Sequence, residues 1–312
     1  MSGLRRYVGM LATVCVAFAA GIALGNGPLQ GESTGDGHVS LTAANAELSA
    51  ELQAARRVQA FESALGSAAR PALLRDRLSR VSVGIFSLPG VAPETVTAVA
   101  GAVEEAGGEL TVRARISPTL VDPARKTYVD SVASGALEDA ADVRALGALS
   151  PYARIGALLA RAYTGTADEV AVDDEAARLD AQLRGAKLLW LADPLQRRAS
   201  AVVVLTPGDT GQSGAVYAAH QIELPVLDAL AARADGVLLA GPAAASAPGG
   251  LILAATQAPS MTHAVATLNA LDMPAGPAAA VGGLAAAVSG HPGTWGMRGD
   301  VPAVPPGFGS AG

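Results

Sequence analysis

One alternation of segments constrains the fold of this chain more than any other feature of its sequence. The apolar run Val81–Leu88 ends at Pro89-Gly90, a helical pattern follows over Pro93–Ala106, and Leu110–Ile116 has the composition of a second strand. Two strands joined by a helix within about 35 residues form a βαβ unit. Because such a unit holds its strands parallel with a right-handed connection, the sequence predicts a parallel sheet.

The alternation continues and predicts an α/β fold with one domain over residues 81–298. We expect a mostly parallel sheet between two layers of helices, that is, a three-layer domain. The further predicted strands are Lys187–Leu191, Ala201–Thr206, Gly236–Ala240 and Leu251–Thr256. The further predicted helices are Pro123–Ala133, Leu146–Thr164, Val172–Arg184, Val216–Arg233 with a kink near Pro225, and Ser260–Leu271, with Pro277–Ser289 as the last buried element. Residues 299–312 are predicted to be a Pro/Gly-rich tail.

Residues 1–31 have the pattern of a membrane segment. Arg5 and Arg6 precede an apolar run, Val8–Leu24, which rises about 25 Å as a helix and spans a bilayer with modest mismatch. The basic residues on its short side predict a cytoplasmic N-terminus and an extracytoplasmic main domain. The predicted anchor residues are Val8, Leu11, Val14, Val16, Phe18, Ile22 and Leu24. A cleaved signal peptide is the alternative, because Ala17-Phe18-Ala19 is a cleavage site of the A-x-A kind.

Residues 32–80 are predicted to form a helical stalk. Apolar residues between Leu41 and Leu65 recur mostly three or four positions apart, as on one face of a helix. The stripe lasts about two heptads, which is short for a coiled coil. A short dimerising coiled coil and an amphipathic helix packed on the domain both fit this pattern.

Composition argues against two kinds of site. The formal net charge is -6 and no basic patch is present, which is unlike a nucleic-acid-binding protein. Cys15 is the only cysteine, so an intramolecular disulfide and a cysteine-based zinc site are ruled out.

No arrangement of residues predicts catalysis. The glycine turn Gly208–Gly214 follows a buried strand, but it lacks both the G-x-G-x-x-G spacing and a Gly-Lys-Ser/Thr sequence. Gly211-Gln-Ser-Gly214 lacks the G-x-S-x-G pattern of a nucleophile elbow. We therefore expect a protein without catalytic or cofactor-binding residues, and the alternative of an enzyme with a dispersed site at the Gly208 turn lacks the acid, base and phosphate-binding groups it needs.

Two of the four histidines lie near methionines in the C-terminal third of the chain. The pairs are Met261 with His263 and His291 with Met297. Thioether and imidazole groups suit Cu(I), so these four residues are candidate Cu(I) ligands. The alternative is that the methionines belong to the core and the histidines to the surface.

Several short segments carry a resemblance to a known family. They are Arg6-Tyr-Val-Gly-Met-Leu-Ala-Thr-Val14, Gly21-Ile-Ala-Leu-Gly25, Val83-Gly-Ile-Phe86, Ala106-Gly-Gly108 before Leu110-Thr-Val, and Gly290-His-Pro-Gly-Thr-Trp-Gly296. Over residues 4–298 the chain resembles the actinobacterial MctB family of copper-transport outer membrane proteins, with Trp295 where the family pattern has Tyr. The resemblance implies a role in keeping intracellular copper low, with copper as a transported or bound ion, and a pore activity in the outer membrane of mycolate-bearing bacteria.

These observations lead to two functional expectations. The first is a non-enzymatic copper-homeostasis protein of the cell envelope, held at a membrane by its N-terminal helix. The second is a non-enzymatic envelope scaffolding protein whose stalk mediates homo-oligomerisation.

Overall fold

The computed structural model describes most of the chain beyond the predicted stalk. The described residues are 69–138, 149–208, 214–298, 301–302 and 304–306, with isolated helical residues between 45 and 66. Residues 1–62 and 63–312 are two separate compact units. The predicted membrane segment lies outside the described residues. Among the residues that are described, no helix combines the length and the apolar character that crossing a membrane requires.

The described elements alternate between strands and helices. The strands are β1 (Ser82–Ser87), β2 (Glu109–Ile116), β3 (Leu189–Leu191), β4 (Ala201–Leu205), β5 (Gly236–Ala240), β6 (Val265–Asn269) and β7 (Thr294–Gly296). The helices are α1 (Pro93–Glu105), α2 (Pro118–Val121), α3 (Lys126–Glu138), α4 (Pro151–Tyr163), α5 (Asp174–Gly185), α6 (Gly214–Ala231), α7 (Leu251–Gln257) and α8 (Gly276–Val288), with 3-10 turns at Pro123–Arg125, Ala167–Glu169 and Ala243–Ser246.

The seven strands form one mostly parallel sheet, as the sequence predicts. Their order is β3-β2-β1-β4-β5-β6-β7, and every neighbouring pair is parallel except β2 and β3. The chain enters β3 beside the end of β2, where the Ser117 N–H donates to the Leu188 carbonyl at 2.9 Å. The strand that starts there can only run back along β2, so β3 is antiparallel. Both edge strands, β3 and β7, are three residues long.

The core lies on both faces of the sheet. Along β4, Val202 and Val204 face one hydrophobic cluster, while Val203 and Leu205 face the other. The first core contains residues of α3 to α7, and the second contains residues of α1 and α8. Successive side chains of a strand point to opposite faces, and a strand covered on both faces is apolar throughout.

The end of the predicted stalk packs against the second core. Residues 69–74 are helical, and Leu74 and Leu78 are fully buried in that core. The chain then turns into β1 through Arg80, whose φ of 67° lies in the left-handed region.

Two helices on the first face pack in close contact. A Cβ placed on Gly156 of α4 would lie 2.9 Å from the carbonyl oxygen of Pro225 in α6. Pro225 lies inside α6, where its ring prevents one backbone hydrogen bond, and the kink predicted there from the sequence stays a prediction. The absence of a side chain at Gly156 therefore allows α4 to pack against α6.

Two sequence predictions near the C-terminus are wrong. The predicted strand Leu251–Thr256 is the helix α7, in which the buried residues Leu251, Ile252 and Ala255 have helical spacing. The predicted helix Ser260–Leu271 consists of turns followed by β6, whose five residues are all buried. Short apolar runs have no periodicity that separates a buried helix from a buried strand, so both assignments failed for one reason.

Candidate functional site

Three of the four predicted copper ligands lie near the amino edge of the sheet. Met261 and His263 precede β6, and His291 precedes β7. Because β6 and β7 are parallel, the two exposed histidines lie at the same edge. Met261 is 3% exposed and packs in the first core. At this position the structure has a core methionine beside a surface histidine.

Met297, the fourth predicted ligand, lies at the opposite edge. It follows β7, and its N–H donates to the Asn269 Oδ1 at the end of β6, at 2.8 Å. The five residues of β6 rise about 13 Å between the two edges. The structure therefore separates Met297 from His263 and His291.

Met273 is a residue that the sequence prediction missed. It follows β6, so it lies at the same carboxyl edge as Met297. Both side chains are exposed, Met273 to 36% and Met297 to 58%. The sequence prediction misses Met273 because the helix predicted over residues 260–271 covers the strand β6 and its carboxyl end. Two thioethers at one edge are soft donors of the kind that Cu(I) prefers.

The other common metal-binding side chains do not cluster into a metal site in the described part of the chain. No group of three or more His, Cys, Asp and Glu residues there has an arrangement that could hold a metal ion. Copper binding by these residues would therefore depend on the methionines and on single histidines.

The carboxyl ends of β1 and β4 form the switch point of the sheet. Strands on one side of β1 follow the order β2, β3, and strands on the other side follow the order β4 to β7. In open α/β sheets, ligands bind in the crevice at this position. A small cavity of about 20 Å³ lies here, between the strand ends and α6.

This cavity is apolar apart from one carboxyl group. Phe86, Leu88 and Val204 line it from the strand side, and Glu223 and Leu227 line it from α6. A volume of this size holds about one water molecule. A single oxygen donor among apolar side chains does not match the ligand preference of Cu(I), so the cavity is not a copper site.

Glu223 nevertheless has the most strongly shifted pKa among the carboxyl groups of the described residues. Burial raises the pKa of its carboxyl group from 4.5 to about 7, because the apolar surroundings disfavour the charged form. A carboxyl group with this pKa takes up or releases a proton near neutral pH. Its sequence signal is the single acid in the apolar run Ile222-Glu-Leu-Pro-Val-Leu227, which matches no catalytic motif.

His220 lies one turn before Glu223 on α6. It is 7% exposed, its ring meets Tyr217 edge-on at 6.4 Å, and burial lowers its pKa. The imidazole is therefore mostly neutral at neutral pH.

The glycine turn after β4 has a packing role at its described end. A Cβ on Gly208 would lie 2.9 Å from the Cγ of Pro242, so a side chain there would collide with the segment after β5. Residues 209–213, the rest of the turn, lie outside the described residues.

Comparison with known proteins identifies the family. The sequence model of the family described as copper transport outer membrane protein, MctB, matches residues 1–306. Relatives named copper transporter MctB, from Mycobacterium bovis and Mycobacterium tuberculosis, are 27% identical over 257 residues, which is 77% of this chain and 78% of theirs. The resemblance in the sequence is thereby confirmed. The chain belongs to the MctB family of copper transport outer membrane proteins.

Proposed function

We propose that this protein serves copper homeostasis in the cell envelope, by exporting copper or by handling it outside the cytoplasm. The observation that carries the proposal is the family match over residues 1–306. The names of the mycobacterial relatives, copper transporter MctB, agree with it. We further propose that the protein acts without catalysing a reaction.

The proposal includes a location. Residues 8–24 anchor the protein, the N-terminus is cytoplasmic, and the α/β domain lies outside the cytoplasm, in agreement with the charge pattern of the sequence. The description of the family adds an association of the protein with the outer membrane. Fusions of alkaline phosphatase and of a green fluorescent protein to the C-terminus test the orientation, because only the former is active outside the cytoplasm. A fluorescent, phosphatase-inactive pair would contradict it.

A growth experiment tests the function. Deletion of the gene should lower the copper concentration that stops growth and raise cell-associated copper, and a plasmid copy should restore both. Zinc serves as the control metal, since a general envelope defect would change tolerance to both ions. Unchanged copper tolerance in the deletion strain would refute the proposal.

A binding experiment asks whether copper contacts the described residues. We expect full-length protein in detergent to compete for Cu(I) under anaerobic conditions. One variant carries alanine at the amino-edge residues Met261, His263 and His291, and a second carries leucine at the carboxyl-edge residues Met273 and Met297. Loss of binding in the second variant alone would place the ligands at the carboxyl edge. Equal binding by all three proteins would exclude these residues.

Scaffolding is the second candidate function. Leu48 and Leu52 are helical residues four positions apart, and they are 64% and 51% exposed. An apolar pair on one helix face is typical of a surface that pairs with another helix. Light scattering of the full-length protein should show an oligomer that becomes smaller when both leucines are replaced by glutamine. An unchanged mass would count against a stalk that assembles copies.

A further inference from the structure

Three arginines that the proposed function leaves unused lie together in a groove between α4 and α6. Arg161 belongs to the last turn of α4, Arg198 precedes β4, and Arg233 follows α6. All three line a groove with a volume of about 760 Å³. Sites that bind small organic molecules have volumes of this order.

The remaining walls of the groove are largely small and apolar. Ala153, Ala157 and Ala160 lie on one face of α4, and Ala229 lines the opposite side from α6. Because alanine side chains are small, they do not narrow the groove, and they give its walls an apolar surface. The groove therefore suits a ligand that has an apolar part as well as a charged one.

Two carboxylates pair with the three arginines. Arg161 Nη2 donates to both oxygens of Asp173, at 2.9 and 3.0 Å, and Arg198 Nη2 lies 3.6 Å from the same carboxylate. Arg233 Nη2 lies 3.7 Å from Glu169. Three guanidinium groups therefore share two carboxylates.

The pKa values of the arginines reflect this crowding. Burial lowers the pKa of Arg198 and of Arg233, and the charge of Arg161 lowers both further, against the opposing effect of Asp173 and Glu169. Both arginines keep their charge at neutral pH, because the pKa of a guanidinium group is so high. Asp228 also lines the groove, so its three arginines face three carboxylates, but Asp228 is not among the charges that shift the pKa of Arg198 or of Arg233.

Two guanidinium nitrogens in this cluster have no hydrogen-bond partner among the described residues. They are Arg161 Nη1 and Arg198 Nε, and both atoms are buried. The Arg198 side chain is only 6% exposed. An unpaired buried donor on a charged group is costly, and a bound acceptor would recover part of that cost. An oxyanion supplies two or more acceptors in the geometry that guanidinium groups match.

We propose that this groove binds a small organic anion, with its oxyanion group against Arg161, Arg198 and Arg233 and its apolar part against the alanines of α4 and α6. The site is separate from the methionines and histidines considered for copper. The proposal therefore does not depend on the copper function.

Calorimetry with phenylphosphonate tests the site on full-length protein in detergent. This probe combines an oxyanion with an apolar ring, inorganic phosphate has only the oxyanion, and benzyl alcohol has only the ring and a neutral hydroxyl. We expect phenylphosphonate to bind more tightly than either partial probe. Its affinity should fall when sodium chloride is added, because salt screens charges that remain partly exposed.

Variants with opposite expected effects identify the site. Arg198→Gln should weaken phenylphosphonate binding by about tenfold or more, since it removes charged donors. Arg197→Gln is the matched control, because Arg197 is the neighbouring residue, is paired with Glu109 at 2.6 Å, and carries the same charge outside the groove. Asp173→Asn should strengthen binding, because it removes the competing carboxylate of Arg161. Asparagine keeps the helix cap that Asp173 now provides by accepting the Ala176 N–H at 2.8 Å.

The outcomes separate the proposal from a purely structural role of the arginines. If Arg198→Gln does not fold by circular dichroism, Arg233→Gln takes its place, since that side chain is 34% exposed. The proposal is overturned if wild-type protein does not bind phenylphosphonate, if the Arg197 control loses as much affinity as the groove variant, or if Asp173→Asn weakens binding.

Discussion

Replacing Glu223 by glutamine should change how the stability of the domain depends on pH. Burial raises the folded-state pKa of Glu223 from 4.5 to about 7. Below pH 4.5 the carboxyl group is protonated in both the folded and the unfolded state, so its burial does not lower the unfolding free energy. Between pH 4.5 and 7 the unfolded chain loses the proton while the folded chain keeps it, so wild-type stability falls as pH rises. Above pH 7 the carboxyl group is ionised in both states, so this loss of unfolding free energy stays constant.

The size of the effect follows from the pKa shift. Each unit of pKa difference corresponds to about 1.4 kcal/mol, so a shift from 4.5 to about 7 amounts to about 3 kcal/mol. Glutamine has nearly the same shape and does not titrate. Relative to the glutamine variant, wild-type protein should therefore lose about 3 kcal/mol of its unfolding free energy between pH 4 and pH 8.

Urea unfolding at a series of pH values measures this difference. Tryptophan fluorescence reports on the transition, because Trp295 is buried in the second core. Glu104→Gln, at an exposed position on α1, is the control and should follow the wild-type protein. A Glu223→Gln curve parallel to the wild-type curve at every pH would refute the reasoning, since it would mean that the cavity does not disfavour the charged carboxylate.

Three further substitutions test the packing, each by urea unfolding. Tyr163→Phe should cost about 1.5–3 kcal/mol, because the buried hydroxyl donates to the Asp180 carboxylate at 2.9 Å; no loss would mean that this bond does not stabilise the fold. Leu74→Ala should cost about 2–5 kcal/mol, because Leu74 is fully buried, whereas a stalk free of the domain would tolerate the change. Gly236→Ala should cost about 1–3 kcal/mol, since the added Cβ would lie 2.6 Å from the Val288 backbone nitrogen; an unchanged midpoint would show that α8 yields at no cost.

The central strands could be predicted from the sequence because each is a continuous apolar run. β4 and β5 are buried on both faces, so their composition alone marks them, and their parallel pairing follows from the helices between them. β7 could not be found in this way, since three residues are too few to form a pattern. The antiparallel direction of β3 depends on where α5 ends in space, which no local pattern records.

The candidate sites were harder to predict, for a related reason. Proximity along the chain suggested the pairs of Met261 with His263 and of His291 with Met297, yet β7 carries the chain from one edge of the sheet to the other between His291 and Met297. The arginines of the groove come from three separate segments. Only the packing of α4 against α6 and the position of Arg198 before β4 bring them together.

The short edge strands have a consequence for solubility. An exposed sheet edge is a row of unpaired backbone groups that can recruit a strand from another molecule and start aggregation. Here β3 and β7 each offer only three residues to such a strand. Arg115 also lies over the exposed ring of Trp190 in β3, with its guanidinium carbon 5.0 Å from the ring centroid, and so places a charge at that edge. The domain is in this way protected against polymerising through its own sheet.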